Sequence, residues 1–340
     1  MKKVVNIKSE KKSKIDIAVL MIFFSRDKQF GQVFEQVALA RPSILYLYQD
    51  GARAGRDDDV IGIEKCRKIA DSIDWECEVH YWYQEENIGC DPSEYLSQKW
   101  MFSEQEMGIV LEDDDVPSQS FFPFCKELLE RYKDDYRINI ICGMNTYDIA
   151  KHTQDSYLFT KKGSIWGWAS WRRVIDTWDG EYTWLNDEDK KSIIAKNMGQ
   201  KEFDIWIPHV EAHAKTGKAH YESINGAAMF LYNRINIVPK YNMICNIGIA
   251  AESTHSVNDI RILPKGIQKL MYKETHEIEF PLKHPDIIEI DPVYEKLNKI
   301  SVLKNFCYTI ESFVRSIVYL GIGETFKRIK RKLNKLQKRG

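Results

Sequence analysis

The sequence predicts an α/β protein in which helices cover both faces of a mostly parallel central sheet, with a helical tail at its C-terminal end. Three observations carry this. The 340 residues suffice for a sizeable core in one large or two ordinary domains. Between residues 15 and 111, apolar runs of strand length alternate with stretches whose apolar residues recur at helical spacing, the order expected of a parallel sheet. Polar, ligand-type residues succeed the strand-like runs, and in such sheets ligands bind beyond the carboxyl ends of the strands.

Taken in order, residues 1–14 form a basic leader, expected to be frayed. Ile15–Phe24 reads as the first buried strand, because it is β-branched and aromatic and leads into Ser25-Arg26-Asp27-Lys28 rather than a small-residue cleavage site. Further strands are expected at Ile44–Tyr48, Cys77–Trp82 and Met107–Leu111, with helices between them at Phe30–Ala40, Ile61–Ile73 and Glu94–Phe102. Phe121–Tyr132 has an amphipathic helical pattern, and Ile138–Cys142 is a strand leaving through Gly143-Met144-Asn145. From about residue 157 the texture becomes aromatic, with Trp166, Trp168, Trp171, Trp178, Trp184 and Trp206. No repeat or Pro/Gly linker sets this half apart, so it is expected to pack on the same sheet.

Composition removes several functional classes. A formal net charge of −1 excludes a globally basic nucleic-acid binder. Seven cysteines with no CxxC pair indicate neither a disulfide framework nor a thiolate zinc site, and fit a reducing cytoplasm. No segment approaches the roughly 18 to 20 apolar residues that span a bilayer. Neither a Walker motif nor a GxGxxG fingerprint occurs.

The most informative stretch is Gly108-Ile109-Val110-Leu111-Glu112-Asp113-Asp114-Asp115-Val116-Pro117, where four carboxylates come straight after an apolar strand without a spacer. Two readings fit. The acids complement the dipole of a helix beginning near Ser118, or their mutual repulsion is relieved by a hard divalent cation, Mn²⁺ or Mg²⁺, that also holds a diphosphate.

Leu111-Glu112-Asp113-Asp114 with Phe121-Phe122 after it, together with Gln49-Asp50-Gly51, Asn87-Ile88-Gly89, Trp166-Gly167-Trp168-Ala169, Asn246-Ile247-Gly248 and Thr254-His255, resembles the Glu-Asp-Asp group of GT-A-fold glycosyltransferases. That group comprises the enzymes related to N-acetylglucosaminyltransferase I and their bacterial counterparts, and the likeness spans about residues 15–256 in the expected order. It implies a three-layer GT-A-like domain over residues 15–260, with a nucleotide-sugar half to about residue 145 and an acceptor half beyond. A charged extension (261–300) and a basic amphipathic tail (301–340) complete the chain.

The resemblance also implies roles. Asp114 matches the metal ligand, and His255 either completes the metal shell or is a loop histidine. Glu112 and Asp113 match residues that meet ribose and donor sugar; Asp50 matches one near the nucleoside, or is a turn-former. Asn87 and Asn145 belong to the same donor side. Glu222, where the group more often has Asp, matches the base that deprotonates the acceptor, or is a surface glutamate. Asp115 has no match, leaving open whether it joins a metal or starts a helix. Trp166 and Trp168 read as a platform for an acceptor sugar or as core, Trp168 being the better candidate for the platform.

The implied activity is metal-dependent, inverting transfer from a nucleotide sugar, foremost a UDP-sugar, to a glycan or lipid-linked acceptor in surface polysaccharide synthesis. The alternatives are a sugar nucleotidyltransferase and a catalytically silent glycan-binding protein of the same fold. His209-Val210-Glu211-Ala212-His213 is read as an ordinary helix, with Pro208 in its first turn, rather than a zinc site. The tail Phe313–Arg339 reads either as a membrane-surface helix or as a packed or solvated one. The location of the protein is expected to be cytoplasmic, or peripheral on the inner face of the cell membrane.

Overall fold

A computed structural model of the chain describes residues 2–249, 260–297 and 302–337. The first half runs β1 (Lys2–Ile7), β2 (Ile15–Phe23), α1 (Asp27–Ala40), β3 (Pro42–Gln49), α2 (Asp57–Ala70), β4 (Cys77–Tyr83), α3 (Cys90–Glu104) and β5 (Met107–Glu112). It continues through β6 (Asp115–Pro117), α4 (Phe121–Arg131), β7 (Ile138–Cys142), β8 (Tyr157–Thr160), β9 (Trp168–Trp171) and the single turn α5 (Arg172–Ile175). Next come α6 (Glu188–Met198), α7 (Gln200–Ala214), α8 (Tyr221–Leu231), β10 (Ile235–Pro239) and β11 (Ile244–Asn246). The short helices α9 (Lys265–Gln268) and α10 (Pro292–Leu297) precede α11 (Val302–Gln337).

Among the described residues nine strands form one sheet in the order β1-β4-β3-β2-β5-β9-β7-β10-β8. From the pairings, β2, β3, β4, β5, β7 and β10 run one way, and β1, β8 and β9 run the other. The mostly parallel α/β expectation therefore holds. β2 is buried at every position but Asp16, as befits a strand covered on both faces. Residues 168 and 171 of β9 point to opposite faces. Phe102 of α3 stacks on Trp168, while Trp171 Nε1 donates to the Leu129 carbonyl of α4, so α3 and α4 cover different sides. The aromatic half belongs to the same sheet because β9 sits between β5 and β7.

Three expectations need correction. Residues 2–7 of the leader are not frayed but form an edge strand antiparallel to β4, in register from Lys2 opposite Trp82 to Ile7 opposite Cys77. The lysines hold it there: the Lys2 and Lys3 ammonium groups lie 4.0 and 4.4 Å from the Trp82 and Tyr81 ring centroids. Such lysines also guard a sheet edge against further pairing. Second, α1, α2 and α3 begin three or four residues before the periodic apolar pattern does. Their first turns are polar, and Asp57, Asp58 and Asp59 at the start of α2 complement the helix dipole there. Third, Pro208 lies in the interior of α7, not its first turn, because the helix starts directly after Gly199.

Residues 260–297 stitch the second half together. The Glu277 carboxylate accepts from the backbone N–H groups of Gln119 and Ser120 at 3.0 and 2.6 Å, fixing the entry of α4 from a distant part of the chain. Ser156 N donates to the Lys283 carbonyl at 2.8 Å, and the Glu295 carboxylate accepts from Thr160 Oγ1 and Lys161 N at the end of β8. Among the described residues no helix is long and apolar enough to cross a membrane.

Candidate active site

The carboxyl ends of β2, β3, β4 and β5 lie side by side, and four loops leave them on the same edge. At the end of β5 the chain turns through Asp113 and Asp114 directly into β6, which pairs antiparallel with β11 so that Asp115 stands opposite Asn246. The acids therefore do not sit in the first turn of α4, which begins at Phe121.

Each acid has its own solution to the crowding. The Arg26 guanidinium, from the end of β2, bridges Asp113 and Asp114: Nε lies 3.2 Å from Asp113 Oδ2, and Nη2 bonds Asp113 Oδ1 and stands 2.9 Å from Asp114 Oδ2. Burial pulls the Arg26 pKa down, but the two carboxylates outweigh it and raise it overall. Asp114 Oδ1 accepts from Asn246 Nδ2 at 3.2 Å. Burial holds the Asp114 carboxyl above its ordinary range, opposed by Arg26 and reinforced by Asp113. The backbone of Gly248 passes so close that a Cβ there would stand 2.1 Å from Asp114 Oδ2.

Asp115, the unmatched fourth acid, is structural. It is fully buried, Oδ2 accepts from Gly167 N at 2.8 Å and Oδ1 from Asn246 Nδ2 at 3.0 Å. Burial, then the Asp114 charge, pushes its pKa well above the ordinary range, opposed by the hydrogen bonds through which it clamps β9 and β11 onto the strand end. Glu112 is likewise raised, by burial first and then by Glu94, Asp115 and its other acidic neighbours. Its Oε1 accepts from Tyr221 Oη at 3.2 Å, which brings the first turn of α8 to the strand end.

Glu222 is the next residue of α8, exposed, and close enough for its charge to act on Glu94. Glu94, in the second turn of α3, is a member of the site that the sequence reading omits. Cys90 Sγ donates to its Oε1 at 3.1 Å, and its carboxyl is pushed up to about 7 by burial, with Asp91, Glu222 and Asp114 adding to the rise. The Cys90-x-x-x-Glu94 spacing is the available signal, since it puts both residues on one helix face.

The donor-side expectations divide. Asp50 and Asn87 do meet: Asn87 Nδ2 donates to Asp50 Oδ2 at 2.8 Å and to the Gly51 carbonyl at 2.9 Å. Asp50 also accepts from the backbone N–H groups of Gly51, Ile88 and Gly89, which offset the upward pull of burial on its carboxyl. In the structure this pair builds the loops after β3 and β4. Asn145 is a correction: it is wholly buried, and its side chain is spent on the Pro239 and Lys240 carbonyls and on Tyr147 N, holding the exit of β7. Trp168 is a second correction, because it is 1% exposed and packed between Phe102 and Trp178, whereas Trp166 is only partly buried.

The metal expectation named Asp114 and His255. His255, with Thr254, lies outside the described residues. Among the described residues no three His, Cys, Asp or Glu side chains converge on one point. Both Asp114 oxygens are engaged, and the charge a divalent ion would relieve is met by Arg26. Among the described residues the counter-charge to Asp113 and Asp114 is the Arg26 guanidinium. The two histidines of α7 do not pair either: His213 Nδ1 bonds Ser223 Oγ at 2.6 Å and the ring stacks on His220, which faces Asp91.

No family model matches the sequence, and no curated protein sequence matches it. Solved structures overlap it in part, two of them as follows. One is 4-diphosphocytidyl-2C-methyl-D-erythritol synthase from Anaerococcus prevotii, 10% identical over 47% of this chain and 73% of that one, with a TM-score of 0.30. The other is the glycosyltransferase GlyE of Streptococcus pneumoniae, 8% identical over 56% of this chain and 40% of that one, with a TM-score of 0.28. Overlaps this slight carry no argument about this chain's activity, which rests on its own residues.

The charges make the site testable by stability alone. Arg26→Ala strands two buried carboxylates and is expected to cost about 3–5 kcal/mol at pH 7. Because protonation then relieves the stranded charge, the folded variant binds more protons than its unfolded chain, and the deficit shrinks as the pH falls towards 4. Urea denaturation at both pH values checks this; a variant as stable as wild type at pH 7 would contradict it. Glu94 titrates at about 7 when folded against about 4.3 when unfolded. Its ionisation therefore destabilises the fold progressively between those values and fully above them. Glu94→Gln should match wild type near pH 4 and unfold at higher urea than wild type at pH 8.

Proposed function

We propose that this chain is a glycosyltransferase that moves a sugar from a nucleotide-sugar donor to a glycan or glycolipid acceptor, with inversion at the anomeric carbon. The observation that carries the reading is the junction at the end of β5. There the matched triplet Glu112-Asp113-Asp114 shares one edge with the Asp50–Asn87 loops, and Tyr221 ties the helix bearing Glu222 to Glu112. The ordered resemblance over residues 15–256, of which that triplet is one part, supports the same reading.

In this reading the donor lies across the ends of β2 to β5, its sugar beside Glu112 and Asp113. Its diphosphate lies towards Arg26 and the N-terminal end of α3, over which the Lys218 ammonium group also reaches. An acceptor hydroxyl oxygen attacks the anomeric carbon, the bond from that carbon to the diphosphate oxygen breaks, and the hydroxyl proton passes to Glu222. The raised Glu94 has a part here. Its carboxyl is pushed up to about 7, so at neutral pH it sets less negative charge beside Glu222 than an ordinary carboxylate would. Trp166, which is only partly buried, is the better candidate to meet an acceptor sugar. A nucleotidyltransferase is disfavoured by the exit of β2. Phe24-Ser25-Arg26-Asp27-Lys28 has no glycine to wrap a triphosphate, and α1 opens on an acid, Asp27.

Thermal-shift measurements against UDP-, GDP-, CMP- and dTDP-sugars identify the donor, since a ligand that binds only the folded chain raises its melting temperature. With that donor, Glu222→Gln should keep the shift and lose transfer by about a hundredfold or more. Full turnover in that variant would remove Glu222 as the base, and no shift with any nucleotide sugar would remove the reading itself.

A further inference from the structure

Helix α11 is held to the body by its polar side. The Glu311 carboxylate accepts from Lys265 N at 2.9 Å and from Arg315 Nε at 2.8 Å. Arg315 Nη1 donates to the Arg261 carbonyl at 3.1 Å, Ser312 Oγ to that of Ile262 at 3.4 Å, and Ser316 is buried. Positions 311, 312, 315 and 316 form one helix face. The opposite face carries Ile310, Phe313 and Val314, which stand 47%, 41% and 50% exposed. At Gly321 the backbone leaves helical geometry (φ 80°, ψ 164°), and beyond the break Ile322 and Phe326 are again exposed, at 63% and 59%.

A helix that served only to cover the core would be turned the other way. This one keeps its apolar stripe in water, and the residues next to the stripe indicate the kind of surface that covers it. From Lys327 to Arg339 the sequence holds eight lysines and arginines and no acid. A second copy of the chain would bring the same positive tract to the contact and be repelled. A nucleic acid would satisfy the charge and leave the isoleucine and phenylalanine side chains exposed. An anionic lipid surface meets both needs, because apolar side chains enter the acyl boundary while the basic residues lie among the headgroups.

We propose that α11 docks this protein on the surface of an anionic bilayer, through its outward apolar face and the basic tract that continues it. The inference is independent of the transfer reaction and holds whether or not the chain moves a sugar.

Co-sedimentation of the full chain with phosphatidylcholine vesicles, with and without phosphatidylglycerol, tests it. The chain should sediment with the anionic vesicles, stay in solution with the neutral ones, and be released by added salt, which screens the attraction. Replacing the exposed pair (Ile322→Ser with Phe326→Ser) should weaken partitioning at least about tenfold without lowering the melting temperature. The charge reversals Lys327→Glu, Arg328→Glu and Lys330→Glu together should do the same. No sedimentation with anionic vesicles at low salt would overturn the proposal, as would sedimentation that survives both sets of changes. So would a dimer in solution dispersed by the serine pair, or binding to RNA that the serine pair leaves untouched.

Discussion

Like charges crowded at the end of β5 are the constraint around which the rest of the molecule is arranged. Four consecutive carboxylates in a partly buried turn cannot all stay ionised and unpaired. The chain answers with a guanidinium from the end of β2, an amide from β11 and a backbone N–H just before β9, while burial holds the most deeply placed acids well above their ordinary pKa. Each answer comes from a different element. Neutralising the charge therefore fixes where those elements lie, and the strand end becomes rigid and chemically loaded for the same reason.

How much of this is legible in the sequence depends on the range of the interaction. The strands of the parallel half are written as unbroken apolar runs, because burial on both faces asks for nothing else, and β7 is recovered to the residue. The edge strand β1 is invisible in the same terms. Lys-Lys-Val-Val-Asn-Ile looks like a leader until β4 offers its backbone edge and the rings of Trp82 and Tyr81. Arg26 escapes a sequence reading because its partner Asp113 lies 87 residues downstream, and the place of Asp115 because its backbone donor, Gly167, is 52 residues away. The acids themselves are readable, for no strand carries such a run without a local reason. The counter-charge seen in the structure stands in the chain itself, at a distance that no local pattern spans.

Aromatic and amide residues show the opposite failing, where a plausible chemical role hides a structural one. Trp168 belongs to the core joint between α3 and the sheet, and the Asn145 amide bonds backbone carbonyls at the exit of β7. Neither assignment can be read from residue type. The segment 260–297 is similar: it reads as a charged extension, yet Glu277 and Glu295 use that charge to fix the entry of α4 and close β8. Charge at the surface and charge used as a backbone acceptor have the same composition.

The central claim is that the end of β5 is where a nucleotide sugar is held. The most direct measurement is a crystal structure of the chain soaked with the nucleotide sugar that stabilises it. The account predicts electron density for the diphosphate within hydrogen-bonding distance of Arg26, with the sugar against Glu112 and Asp113 and the nucleoside beside the Asp50–Asn87 loops. Density for the nucleotide at any other place, with Arg26 still closed on Asp113 and Asp114, would contradict it.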